Sequence, residues 1–137
     1  MYLLDTDVLS NIVKRQPSAL LIRRLKTVPS ELQFTSAVNV GEIYYGAGRS
    51  NRKKEILKAF ETHVFPNIAV LPFDETSGKI FGKIKAELEK SGIGCSEPDL
   101  RIASIAIQHD FTLITGNTRH FIPIHGLQVE NWLVATT

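Results

Sequence analysis

Three carboxylates carry the chemistry this chain could do. Asp5 follows Tyr2-Leu3-Leu4, an apolar run of strand character, and opens Asp5-Thr6-Asp7 at the start of a helical stretch. In open parallel sheets ligands gather beyond the carboxyl ends of the strands, so an acid held there on rigid backbone is suited to a metal or a phosphoryl group. Glu42 comes one turn into a helix leaving a second strand, and Asp99 comes where an apolar helix starts. Two carboxylates about 4 Å apart repel by about 4 kcal/mol at an effective dielectric near 20, so three converging acids call for a divalent cation. Oxygen-only donors favour Mg2+ or Mn2+ over zinc. Such an ion acidifies water and neutralises charge on a phosphoryl transition state, with no covalent nucleophile or oxyanion hole required. The chemistry expected is metal-dependent phosphodiester hydrolysis.

Most of these residues also have a purely structural reading. Asp7 suits the N-cap of the helix that follows it. Asn39-x-x-Glu42 fits a capping box, with Asn39 as the cap. Asp99 complements a helix dipole, and Glu97, two residues earlier, reads as a loop residue or a neighbour of the site rather than a ligand. Thr115-Gly116-Asn117 ends another strand with a hydroxyl and an amide that could orient a carboxylate or simply build a turn. Asp5 differs, because burying an unpaired carboxylate at a strand end costs several kcal/mol and demands a cation or several donors.

Positioning these residues falls to alternating short apolar runs and longer amphipathic segments, the pattern of an α/β sheet with crossover helices. Strands are predicted at Tyr2 to Asp5, Gln33 to Ser36, Ile68 to Leu71, Thr112 to Thr115 and, more weakly marked, Leu127 to Glu130. Helices are predicted over about 7–14 and 18–26, with Pro17 suited to the first turn of the second. Others follow over about 40–47 and 52–63, with Gly46 and Gly48 breaking the chain between them. A longer helix spans about 75–90, where Ile80, Ile84 and Leu88 recur at helical spacing. The last begins near Pro98 and is apolar on nearly every side, which predicts burial.

Composition narrows the field. The 137 residues suffice for one domain, taken as 1–137, with a core that needs no staples. A content of 43% hydrophobic and 22% charged residues excludes a disordered chain. No apolar run approaches the roughly 20 residues that span a bilayer, and Asp5 interrupts the N-terminus before a signal-peptide core, so a cytoplasmic protein without membrane association is expected. Cys95, the lone cysteine, has no internal disulfide partner, and the four histidines lack zinc spacing. There is no phosphate-binding Gly-rich loop and no nucleophile elbow. His120 is the histidine nearest the proposed rim, and Trp132 reads as a packing anchor. The net charge of +2 is too mild to mark a nucleic-acid binder, but basic residues cluster at Arg23, Arg24 and Lys26, at Arg49, Arg52, Lys53 and Lys54, and along 79–90. These are either solvated helix faces or part of a phosphate-backbone track.

Taken together, Leu3-Leu4-Asp5-Thr6-Asp7, Ser36 through Gly46 with Gly41-Glu42-Ile43, Asp99-Leu100-Arg101-Ile102-Ala103, and Leu113-Ile114-Thr115-Gly116-Asn117-Thr118-Arg119-His120-Phe121 closely resemble the PIN-domain ribonucleases. More narrowly, they resemble the VapC-type toxins of toxin–antitoxin pairs. The likeness covers almost the whole chain in order. It implies a mostly parallel sheet of about five strands flanked by helices, with Asp5, Glu42 and Asp99 as metal ligands around Mg2+ or Mn2+ and an RNA phosphodiester as substrate. It also implies a homodimer and a VapB-type antitoxin that blocks the site. Where many relatives carry a fourth acid, this chain offers Asn117 and, three residues on, His120, so Asn117 joins the candidate catalytic set. Two alternatives remain open: a PIN-fold module that binds RNA or antitoxin with weakened catalysis, and a phosphatase of the haloacid dehalogenase type, suggested by Asp5-x-Asp7 after a strand.

Overall fold

The computed structural model describes residues 1–135. Five short strands, β1 (Tyr2–Leu4), β2 (Gln33–Ser36), β3 (Ala69–Leu71), β4 (Thr112–Ile114) and β5 (Val129–Glu130), form one sheet in the order β3-β2-β1-β4-β5. Every pairing is parallel, where a mostly parallel sheet was expected, because helical crossovers or long loops separate the strands. β1 is central. The chain builds outward from it first through β2 and β3, then through β4 and β5, so the strand order reverses between β1 and β4. A crevice at such a reversal is where doubly wound sheets bind ligands. β1 stops at Leu4 rather than Asp5. The Asp5 amide still donates to Ile114 O at 2.9 Å, but its side chain already caps the next helix.

Six helices flank the sheet: α1 (Thr6–Ile12), α2 (Ala19–Lys26), α3 (Ala37–Gly48), α4 (Lys53–His63), α5 (Glu75–Lys90) and α6 (Glu97–His109). Several starts differ from the pattern-based expectation, and in each case a capping side chain decides. Asp5, not Asp7, is the N-cap of α1. Ser18 caps α2, which leaves Pro17 outside its first turn. α3 begins three residues earlier than expected because Ser36 forms the capping box with Asn39. Asn39 is therefore the third helical residue, the expected Asn39–Glu42 box does not form, and Gly46 lies inside the helix. Ser96 caps α6 with Pro98 in its first turn, close to the predicted start.

Alternation along the strands sends side chains to two cores. Leu3 and Leu113 pack with Leu88 of α5 and with Leu100, Ile102, Ala103, Ile105 and Ala106 of α6, so the apolar last helix is buried as its composition predicts. Leu4 and Ile114 pack on the opposite face with Val8, Leu9, Leu21, Ile43 and Phe60. Trp132 closes this second core, edge-on to Tyr2 at 4.9 Å between ring centroids, in the anchoring role read from the sequence. No helix among the described residues is long and apolar enough to cross a membrane. α6 ends on Asp110 in the left-handed conformation at φ 56°. That conformation strains a side chain with a Cβ and suits glycine. Asp110→Gly is expected to stabilise the fold by about 0.5–1 kcal/mol, read as a higher urea midpoint at unchanged slope.

Candidate active site

Asp5 stands at the reversal point, only 5% exposed, and three elements supply its donors. The Thr6 amide of α1 donates to Oδ1 at 2.8 Å, and Asn39 Nδ2 of α3 donates to the same oxygen at 3.0 Å. Thr115 Oγ1, just beyond β4, donates to Oδ2 at 2.8 Å. These bonds explain how the carboxylate tolerates burial, yet they do not fully offset it. Burial pushes the Asp5 carboxyl from the usual 3.8 up to about 6; the Thr115 and Thr6 hydrogen bonds oppose the rise, and the Asp7 and Glu42 charges add to it.

Glu42 joins this acid through Thr6. The Thr6 hydroxyl donates to Glu42 Oε1 at 2.7 Å and accepts from Asn39 Nδ2 at 3.0 Å. Asn39 thus spans the cap and the site, since its Oδ1 also accepts from the Ser36 amide and hydroxyl. Asp7 reaches across the reversal point instead of capping its own helix. Its Oδ2 accepts from the Gly116 amide at 2.8 Å and from Asn117 Nδ2 at 3.4 Å.

Asp99 occupies the first turn of α6, on the other side of the rim. Its Oδ2 lies 3.4 Å from Nδ1 of His120, in the segment after β4. Both residues line a cleft of about 320 Å³ together with Gly94, Cys95 and Ser96. Burial and the Asp99 charge push the Cys95 thiol up. Glu97 is the first residue of α6 rather than a loop residue, and it is paired with Lys85 at 2.6 Å and Arg101 at 3.1 Å. The structure therefore gathers Asp5, Asp7 and Glu42 into one hydrogen-bonded cluster, sets Asn117 against Asp7, and leaves Asp99 facing His120. Among the described residues no three histidine, cysteine or acidic side chains already stand as a metal-ligating set.

The donor chemistry nevertheless suits a hard cation. Asp5, Asp7 and Glu42 present oxygen alone, and none of the ion pairs among the described residues neutralises them. An uncompensated, partly desolvated acidic cluster of this kind binds protons or cations to relieve its own field.

The sequence matches the PIN domain family over residues 2–123. The chain belongs to that family. It is 31% identical over 132 residues to ribonuclease VapC2 of Haemophilus influenzae, covering 96% of this chain and 98% of the relative. It is 30% identical to the tRNA(fMet)-specific endonuclease VapC of Shigella flexneri, covering 96% and 97%. Among solved structures, VapBC2 from Rickettsia felis bound to a promoter DNA fragment superposes with a TM-score of 0.86 at 26% identity, covering 96% and 98%. The family match and these VapC-named relatives set aside the phosphatase alternative drawn from Asp5-x-Asp7.

Pattern reading picked out Thr115 as a hydroxyl that could orient a carboxylate, and it holds Asp5, but the roles of Thr6 and Asn39 were missed. Asn39 was signalled only by its spacing to Glu42, which puts the amide and the acid on one helical face; Thr6 had no signal. Asp7 was signalled by Gly116: a Cβ there would stand 2.6 Å from Asp7 Oδ2 and 2.8 Å from Leu133 Cδ1. Gly116→Ala is expected to dislodge the Asp7 carboxylate and cost about 1–3 kcal/mol of stability, measured by urea unfolding. Because the folded Asp5 carboxyl holds its proton more tightly than the unfolded one, stability falls as pH rises from about 4 to about 6 and levels off above. In metal-free protein, Asp5→Asn should raise stability at pH 7 by about 1–3 kcal/mol, with the gain vanishing below pH 4. Unfolding midpoints across pH 4–7 check this, and an equal gain at every pH would refute the assignment.

Proposed function

We propose that this PIN domain is a divalent-cation-dependent endoribonuclease in which Asp5, Glu42 and Asp99 hold the ion, Mg2+ or Mn2+. What carries the reading is the buried Asp5 carboxylate, whose proton affinity is raised by burial and by Asp7 and Glu42, at the reversal point of a parallel sheet. When bound, the cation neutralises charge on the phosphoryl group and makes water a better nucleophile.

The chain's own residues do the positioning. Thr115 and Asn39 fix both Asp5 oxygens, so the carboxylate presents one orientation to whatever replaces its proton. Thr6 holds Glu42 by one oxygen only, which leaves the other for a ligand. Asn117 steadies Asp7 rather than extending the acidic set, and this fits the amide standing where relatives carry an acid. Asp99, facing His120 on the other side of the rim, supplies the third acid of the proposed set.

The reading extends to partners and place. The protein acts as the toxin of a type II toxin–antitoxin module, held in check by a VapB-type antitoxin and active as a homodimer in the cytoplasm, where RNA is its target. Support comes from the toxin–antitoxin complexes among the related solved structures, including FitAB bound to an IR36 DNA fragment at a TM-score of 0.87.

Purified protein should cleave RNA with Mg2+ or Mn2+ and not in EDTA. Asp5→Asn and Asp99→Asn should each lower the rate by at least about a hundredfold while circular dichroism stays unchanged. Equal and negligible cleavage by wild type and both variants, with antitoxin still bound, would instead favour the catalytically weakened binding module.

A further inference from the structure

We infer that Tyr45 is a base-stacking platform beside the candidate active site and that the scissile phosphate of the RNA lies next to an unstacked nucleobase. The inference rests on the nuclease reading above. Glu42 and Tyr45 fall at i and i+3 on α3 and Arg49, at i+7, is its C-cap in helical conformation, so ring and guanidinium continue along one face from the acid that Thr6 holds.

Tyr45 is 66% exposed, the most exposed aromatic side chain among the described residues. The other exposed aromatic side chains are already engaged. The Tyr44 hydroxyl donates to Glu61, and Phe73 packs edge-on to Phe81 with Arg101 over the ring. Tyr45 carries Arg49, whose guanidinium carbon lies 5.6 Å from the ring centroid and whose Nη1 donates to the phenol oxygen at 3.2 Å. Arg49 in turn has no carboxylate within ion-pair distance among the described residues.

An exposed ring with an unneutralised guanidinium against it matches one nucleotide in both its parts. The π-face takes a base and the cation takes a phosphate oxygen. Charge favours RNA over a protein partner: the guanidinium beside the ring has no carboxylate partner among the described residues, and α4, which follows it in the chain, opens on Lys53 and Lys54. A duplex keeps its bases stacked inside, so the substrate segment is a loop or single strand.

The test uses a short single-stranded RNA carrying 2-aminopurine, bound to full-length protein in an Asp5→Asn background so that it stays uncut. Wild-type Tyr45 and the Tyr45→Phe and Tyr45→Trp variants should quench the probe and bind within about twofold of one another, while Tyr45→Leu should lose the quench and bind about tenfold more weakly. In the cleaving background, Tyr45→Leu should raise KM with a smaller change in kcat. Arg49→Gln should reduce the salt dependence of binding by about one charge. Equal binding by the Leu and Phe variants overturns the inference, as does a change in oligomeric state or antitoxin affinity with RNA affinity intact. Failure of wild-type protein to cleave would count against the nuclease reading, whereas ring-dependent quenching is read separately and tests the platform itself.

Discussion

The structure is organised around one costly placement, a carboxylate buried at the carboxyl end of the central strand. Asp5 loses hydration there, and its donors come from places far apart in sequence: its immediate neighbour Thr6, Asn39 on α3, and Thr115 after β4. Those three bonds favour the charged form, while burial and two nearby acids disfavour it. The balance falls against the charge, since the carboxyl titrates near 6 rather than 3.8. Folding thus assembles a site whose electrostatic tension is relieved by a proton or a cation. Optimisation for stability alone would place an amide or an apolar side chain at this position.

Local structure is bent to serve that placement. Ser36 takes the cap of α3, which frees Asn39 to point its amide at Asp5 and Thr6 and frees Glu42 from any capping duty. Had Asn39 been the cap, Glu42 would have been turned back onto the helix start and away from Thr6. Gly116 has an equally local reason. Its amide donates to Asp7 at a distance that leaves no space for a side chain, so the turn after β4 doubles as a clamp on a second acid.

The fold was legible because the strands are short apolar runs and the helices carry clear periodicity. The candidate residues were legible as addresses: Asp5 and Asp99 sit where a helix begins and Glu42 lies inside the helix that leaves β2. Of their partners Thr115 was legible, whereas Thr6 and Asn39 were not. Ser36 and Asn39 are both good caps, and sequence spacing alone cannot choose between them. The choice is made by tertiary contact, since an Asn39 drawn toward Asp5 is used best one turn in. Asp7 was obscured in the same way, because an acid at a helix start satisfies a local rule even when its real partner is an amide more than a hundred residues away.

The division of the acids between the two faces of the sheet sets how the site must work. Glu42 rides on α3, whose Ile43 belongs to the core formed by Leu4 and Ile114, whereas Asp99 rides on α6, whose buried face belongs to the core formed by Leu3 and Leu113. Asp5 lies between them, just past the end of the central strand. Any ligand shared by all three ties one helical layer to the other across the strand-order reversal, so its affinity depends on the spacing of the layers as well as on the donors. That spacing is set by close-packed side chains that resist compression, and it gives the rim a defined width without a dedicated loop to close it. The core on each side thereby sets where the acids stand.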